Sequence, residues 1–271
     1  MVVADGMGGH LHGEVAAHIA VQMLAETFQK KAKPILRDPF GFLTDALYAA
    51  HHAIDDYATE HDLLETPRTT CVACVVQKDA AYWAHVGDSR LYMFRGPSLV
   101  ARTRDHSRVQ QLFEDGRITE AQMTTHPERN KVYSCLGGII PPEIELSKKT
   151  LVVEGDSFLL CSDGLWGSLA NNEIAAIMEA YPVSQALPEL LDHAEFRGGE
   201  DGDNLSGVAM TWGDQPRVVS PDPVSTATMS GGAVTTTMET FDMPKEGSDI
   251  TDEDIERAIA EIQTAIKKYT K

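Results

Sequence analysis

The sequence predicts an α+β fold in which helices pack over antiparallel sheets. Three observations predict it: long segments with apolar residues at helical spacing, short apolar runs joined by tight turns, and the clustering of those runs between groups of helices. From about Gly13 to Lys30, Val15, Ala16, Ile19, Ala20, Met23, Leu24 and Phe28 recur at helical spacing, and Phe42, Leu43, Ala46, Leu47, Ala50 and Ile54 repeat the pattern. Two long amphipathic helices follow. Next come the run TTCVACVV, the turn-like QKDA, AYWAHVG, and RLYMF before Gly96-Pro97. These read as three strands of an antiparallel meander. Further on, TLVV, the turn EGD and SFLLCS read as two more strands. A helix beginning near Asn171, a second near Ser184 and a last strand in GVAMTW complete the domain.

Length and charge bound the function. The 271 residues carry 41 Asp and Glu against 23 Lys and Arg, a formal net charge of -18 that repels polyphosphate backbones and anionic membranes. Nucleic acid and membrane are therefore excluded as partners, whereas divalent cations suit the chain. No apolar run reaches the roughly 20 residues of a membrane span, and MVVADGMGG lacks the features of a secretory signal, so a soluble, cytoplasmic protein is expected. The cysteines are Cys71, Cys74, Cys135 and Cys161. Cys71 and Cys74 form a C-x-x-C, but within a strand residues three apart point to opposite faces, which favours a core role over a redox or zinc site.

Composition shifts near Gly213. Residues 1–213 form the globular domain. Residues 214–250 hold Pro216, Pro221, Pro223 and Pro244 among Ser, Thr, Gly and Met, the composition of a flexible linker. In 251–271, Ile255, Ile259, Ile262, Ile266 and Tyr269 make one apolar seam behind the capping pair Thr251 and Asp254, so a C-terminal amphipathic helix is expected there. Docking on a partner, or back on the domain, is its expected use.

Carboxylates at strand ends carry the chemistry. Asp5 follows VVA and precedes a glycine turn, Asp88 follows AHVG, Asp163 follows FLLCS, and Asp203 precedes the last strand. Converging carboxylates repel one another unless a cation lies between them, and without a Cys or His cluster they select hard ions such as Mg²⁺ or Mn²⁺. Turn stabilisation is the alternative for any single Asp beside a Gly. Competing motifs fail on particular residues. DGMGGHLHG lacks the Gly-Lys-Ser/Thr ending of a P-loop. Counted from Asp201, GEDGDNLSG puts Leu205 at a calcium-ligand position and Trp212 where the bidentate Glu belongs. GDSRL lacks the closing glycine of a nucleophile elbow, which removes Ser89 as a hydrolase nucleophile.

The segments VVADGMGGHLHGEVA, WAHVGDSRLYMFR, TRDHSRVQQLFEDGRIT, HPERN, SCLGG, GDSFLLCSDGLWGSL and DNLSGVAM, in that order, resemble the metal-dependent serine/threonine protein phosphatases of type 2C, particularly the bacterial branch. The resemblance runs to about Trp212. It implies a four-layer α-β-β-α sandwich with a binuclear Mn²⁺ or Mg²⁺ centre, in which a metal-bridging hydroxide attacks phosphoserine or phosphothreonine in line, without a phospho-enzyme. On this chain it makes Asp5 the bridging ligand, Gly6 a carbonyl ligand, and Asp163 and Asp203 the remaining ligands, with Asn204 beside them. Asp88 matches the position tied to a third, weaker metal. Asp105 to about Gly138 resembles the flap that bears on substrate choice. Phosphoproteins, including a serine/threonine kinase or its targets, are the partners implied.

Three departures from the family pattern stand out. Members usually carry, upstream of VVADG, a phosphate-binding Arg and an acidic group, and both are expected to be missing from a chain that begins almost on the Asp5 strand. Arg68, in Arg68-Thr69-Thr70 where the family has Gly-Thr-Thr, is the candidate replacement, with a surface-loop role as the alternative. Met7 stands where some relatives have a general-acid His, leaving His10 as a weak substitute. A catalytically weak binding or scaffolding module is the alternative function.

Overall fold

The computed structural model describes residues 1–8, 12–123, 125–199 and 202–213. His10, the linker 214–250 and the helix expected over 251–271 lie outside these residues.

Strand β1 (Val2–Val3) leads through the Asp5 turn into α1 (Gly13–Lys31) and α2 (Pro39–Glu60), the two long helices expected. Asp38 caps α2 by accepting a hydrogen bond from the Gly41 N–H, and Pro39 occupies the first helical turn, where its missing N–H costs nothing. Strands β2 (Cys71–Gln77), β3 (Ala80–Val86), β4 (Arg90–Arg95) and β5 (Ser98–Arg102) follow, then α3 (Arg108–Glu114) and α4 (Glu120–Met123). The chain continues through β6 (Glu145–Leu146), β7 (Thr150–Leu151), β8 (Ser157–Cys161), α5 (Asp163–Ser168), α6 (Asn171–Ala180), α7 (Val183–Gly198) and β9 (Gly207–Thr211).

Every strand pairing is antiparallel, and the strands divide between two sheets. One runs β1-β2-β3-β6, with β7 also on β3, and the other runs β5-β4-β8-β9. The expected meander is therefore corrected. β2 and β3 form a hairpin, but β4 belongs to the opposite sheet. The chain crosses over at Gly87-Asp88-Ser89, where Gly87 adopts φ +100° and lies so close to Thr70 that a Cβ would sit 2.7 Å from its side chain. The same happens at TLVV-EGD-SFLLC, because β7 pairs with β3 while β8 pairs with β4. Both β3 and β4 are buried on both faces, so apolar alternation carried no information about which sheet each joins.

Three apolar layers hold the stack together. Ala16, Ala20, Leu24, Leu43, Leu47 and Ile54 of α1 and α2 pack on Cys71, Ala73, Val75, Ala84 and Val86. Val72, Cys74 and Trp83 meet Leu91, Met93, Phe158 and Leu160 between the sheets. Tyr92, Phe94, Leu159 and Cys161 pack under Leu165, Ile174, Met178 and Leu190 of α5, α6 and α7. This is the four-layer order helix, sheet, sheet, helix. Cys71 and Cys74 face opposite layers, as strand geometry requires, and burial pushes both thiols up to about 12. Among the described residues no helix is long and apolar enough to cross a membrane.

Candidate active site

The carboxylates singled out in the sequence gather at one end of the two sheets, and local backbone constraints put them there. Asp5 leaves β1 where the chain bridges to Thr69 through Gly6. A Cβ on Gly6 would lie 2.3 Å from the backbone of Gly13, so only glycine lets this turn lie against the start of α1. Thr69 and Thr70 clamp the turn. The Thr69 hydroxyl and the Thr70 N–H both donate to the Asp5 carbonyl, at 2.8 and 2.9 Å, and the Asp5 N–H donates to the Thr70 hydroxyl at 3.3 Å. The Thr70 hydroxyl is also hydrogen-bonded to that of Ser89 at 2.7 Å, which links the Asp5 turn to the crossover that carries Asp88.

Asp163 opens α5 directly after β8, and Asp203 precedes β9, the strand beside β8. Ser162 ties the two segments: its hydroxyl donates to the Asn204 carbonyl at 3.2 Å and accepts from the Ser206 N–H at 3.0 Å. A Cβ on Gly164 would lie 2.5 Å from that same carbonyl, so the glycine after Asp163 is what lets the Asp203-Asn204 segment close in. Asn204 thus contributes backbone at the site's edge, and its N–H donates to the Asp203 carboxylate at 2.8 Å. Asp88 is buried at the crossover, where its carbonyl accepts from the Trp166 indole N–H at 2.9 Å.

The electrostatics report how close these groups are. Burial, then the charge of Asp163 and a hydrogen bond shared with it, then the charge of Asp203, push the Asp5 carboxyl up to about 7. Burial, followed by the charges of Asp163, Asp105 and Asp5, pushes Asp88 up to about 8. Asp163 is raised as well, by burial and then by Asp203. Two adjacent buried carboxylates resist ionising together, which is why both are raised.

Arg68, the candidate phosphate ligand, adjoins both the Asp5 turn and Gly138. Its carbonyl accepts the Met7 N–H at 3.0 Å, so its backbone touches the Asp5 turn, while its guanidinium lies against Gly138 and acts on Cys135. A cleft of about 980 Å³ opens beside Asp163 and Asp203, with Arg90, Arg102, Arg129 and Arg197 on its other walls. Arg90 is committed to Asp105 by two hydrogen bonds of 2.8 and 2.6 Å, and its guanidinium stacks 3.6 Å above the Trp166 ring.

Sequence reasoning did not single out Thr70, Arg90, Asp105 or Trp166, though all four lie within quoted motifs or beside Arg68. A Thr-Thr pair ahead of a central strand was the available signal for Thr70. Two histidine groups brace the frame. His51 Nδ1 and the Asp55 carboxylate accept the Gly137 and Gly138 N–H groups, and His106 Nδ1 accepts the Gly87 N–H.

Residues 1–197 match the model of the protein phosphatase 2C family. A putative protein phosphatase 2C-type of Streptococcus pyogenes is 31% identical over 209 residues, covering 77% of this chain and 84% of that protein. The serine/threonine phosphatase of S. agalactiae superposes with a TM-score of 0.67 at 30% identity, over 77% of this chain and 84% of that one. The catalytic domain of the serine/threonine protein phosphatase PstP, solved in complex with 2 manganese ions, gives 0.65 at 30% identity, over 77% and 84%. The chain belongs to the protein phosphatase 2C family.

Proposed function

We propose that this protein hydrolyses phosphoserine and phosphothreonine on proteins, using two divalent ions, Mn²⁺ or Mg²⁺, held by the converging carboxylates. The observation that carries the reading is the convergence of Asp5, Asp88, Asp163 and Asp203, where burial and then neighbouring carboxylate charge raise Asp5, Asp88 and Asp163. The charges acting on Asp5 and Asp88 are all negative, which fits hard cations as the missing counter-charge. Oxygen donors alone make up the set, as Mg²⁺ and Mn²⁺ prefer.

Asp5, the Gly6 carbonyl, Asp163 and Asp203 would hold the two ions, and Asp88 a third, weaker one. When bound, such ions lower the pKa of water and neutralise phosphoryl oxygens. The chain's own part is positioning. Thr69 and Thr70 fix the Asp5 backbone, Ser162 fixes Asp203 relative to Asp163, and the Trp166 indole holds the Asp88 turn. Proteins phosphorylated on serine or threonine are the substrate class, so a serine/threonine kinase or its targets is the partner class, in the cytoplasm.

The test is a set of matched peptides carrying phosphoserine, phosphothreonine or phosphotyrosine, assayed with Mn²⁺. Turnover of the first two, at least about tenfold above the third, is expected. Equal or better turnover of phosphotyrosine would overturn the substrate assignment.

A further inference from the structure

The cleft beside Asp163 and Asp203 holds four arginines, and they fall into two pairs. Arg90 is bound in bidentate fashion to Asp105, and Arg197 to Glu173 at 2.6 and 2.9 Å. Arg102 and Arg129 line the same cleft but make no side-chain hydrogen bond or ion pair among the described residues. In a chain with 41 acidic residues against 23 basic ones, two arginines on one cleft without a carboxylate partner among the described residues run against the general charge balance. Arg102 is half-buried at the end of β5, opposite Tyr92 in the strand register, and lines the cleft. Arg129 lies on the turn closed by the hydrogen bond from its N–H to the His126 carbonyl and lines the same cleft. At about 980 Å³ the cleft lies at the upper end of ligand-pocket volumes, with room for more than one phosphorylated side chain.

We propose that Arg102 and Arg129 form an anion subsite that takes a second negatively charged side chain of the substrate, flanking the phosphoresidue presented to the carboxylate wall. The inference rests on the phosphatase reading and adds to it a substrate preference: a phosphoresidue with a carboxylate or a second phosphate close by. Guanidinium groups match both anions in bidentate geometry, and a guanidinium already paired within the protein would have to break that pair to do the same. The subsite also offsets a general problem of this molecule. Its net charge of -18 repels an acidic peptide, and a local arginine pair makes one cleft receptive to it.

The experiment uses the full chain and three phosphothreonine peptides: one with neutral neighbours, one with a flanking Asp or Glu, and one with a flanking phosphoserine. The readouts are kcat/KM with Mn²⁺ and, separately, peptide binding by fluorescence anisotropy, which registers the preference even if turnover fails. For the unaltered protein we expect the anionic peptides to exceed the neutral one by at least about tenfold, equivalent to 1.4 kcal/mol. The ranking of the carboxylate and phosphate peptides tells which anion the subsite takes. In Arg102→Gln/Arg129→Gln the ratio should fall to about one. Arg117→Gln, an exposed arginine that does not line the cleft, should keep the ratio of the unaltered protein. A ratio unchanged in the double variant would overturn the proposal. So would an equal loss on neutral and anionic peptides, which would mean that the arginines hold the reacting phosphate itself. If no phosphopeptide turns over but the binding ratio and its loss both appear, the phosphatase reading fails and the subsite stands.

Discussion

Substituting Asp5 by Asn should make the metal-free protein more stable at neutral pH. The folded-state pKa of Asp5 is about 7, against 3.8 for the unreacted group. Between these values the folded chain retains a proton that the unfolded chain has lost, so stability falls as pH rises and levels off above about 7. Each pH unit within that window is worth about 1.4 kcal/mol, and the two units between pH 5 and pH 7 amount to roughly 3 kcal/mol from Asp5. Asp88 adds the same sign, but it shares the repulsion and is not to be summed. At about 2–4 °C per kcal/mol for a domain of this size, the effect is on the order of 10 °C in Tm. His51, His85 and His106 act in the opposite direction, because burial lowers their pKa values and their charging at low pH opposes folding. The assay is therefore a difference. Thermal unfolding is followed from pH 5 to pH 8 in EDTA for the unaltered protein and for Asp5→Asn. The advantage of the variant should grow by roughly 3 kcal/mol from pH 5 to pH 7 and level off above, and saturating Mn²⁺ should stabilise the unaltered protein more than the variant. Parallel profiles in EDTA would refute the reasoning, since they would show that burial and the neighbouring carboxylates do not raise Asp5.

Other consequences can be checked in the same assays. Gly6→Ala places a Cβ 2.3 Å from the Gly13 backbone, which cannot yield as a side chain could, so about 1–3 kcal/mol of stability and most Mn²⁺-dependent turnover should be lost. Gly8→Ala, with open space around it, should change stability by less than about 0.5 kcal/mol; a similar loss in both would show that the Gly6 contact is not what matters. Asp105→Asn leaves the Arg90 guanidinium buried without its carboxylate counter-charge, and urea unfolding should register a loss of about 3–5 kcal/mol. A change below about 1 kcal/mol would mean that water reaches the pair.

Much of this molecule was legible because its sequence repeats physical patterns. The 3.6-residue apolar spacing of Ala16, Ala20 and Leu24, and of Leu43, Leu47 and Ile54, marked the two helices of the outer layer. The opposite facing of Cys71 and Cys74 followed from strand geometry alone. The four carboxylates were visible as acids at strand ends beside glycines, and Gly6 and Gly164 prove to be close backbone approaches that bring them together. What stayed hidden depends on contacts between distant segments. Strands buried on both faces do not disclose their sheet, so the crossovers at Gly87 and Gly155 looked like hairpin turns. Arg90 and Asp105 carry no local signal of their pairing, because the bond exists only once β4 and the segment after β5 are folded together. Arg102 and Arg129 were unremarkable in the sequence, and only the lack of a carboxylate partner among the described residues distinguishes them from Arg90 and Arg197 on the same cleft.

The central claim is that carboxylates grouped around Asp5 and Asp163 support metal-dependent hydrolysis of phosphoproteins. Turnover of a phosphothreonine peptide by the full chain, measured in EDTA, after Mn²⁺ is restored, and in Asp163→Asn, tests it most directly. The account predicts no turnover in EDTA, recovery with Mn²⁺, and at least about a hundredfold loss in the variant, equivalent to roughly 2.7 kcal/mol of transition-state stabilisation. Turnover that persists in EDTA, or an Asp163→Asn protein as active as the original, would contradict it.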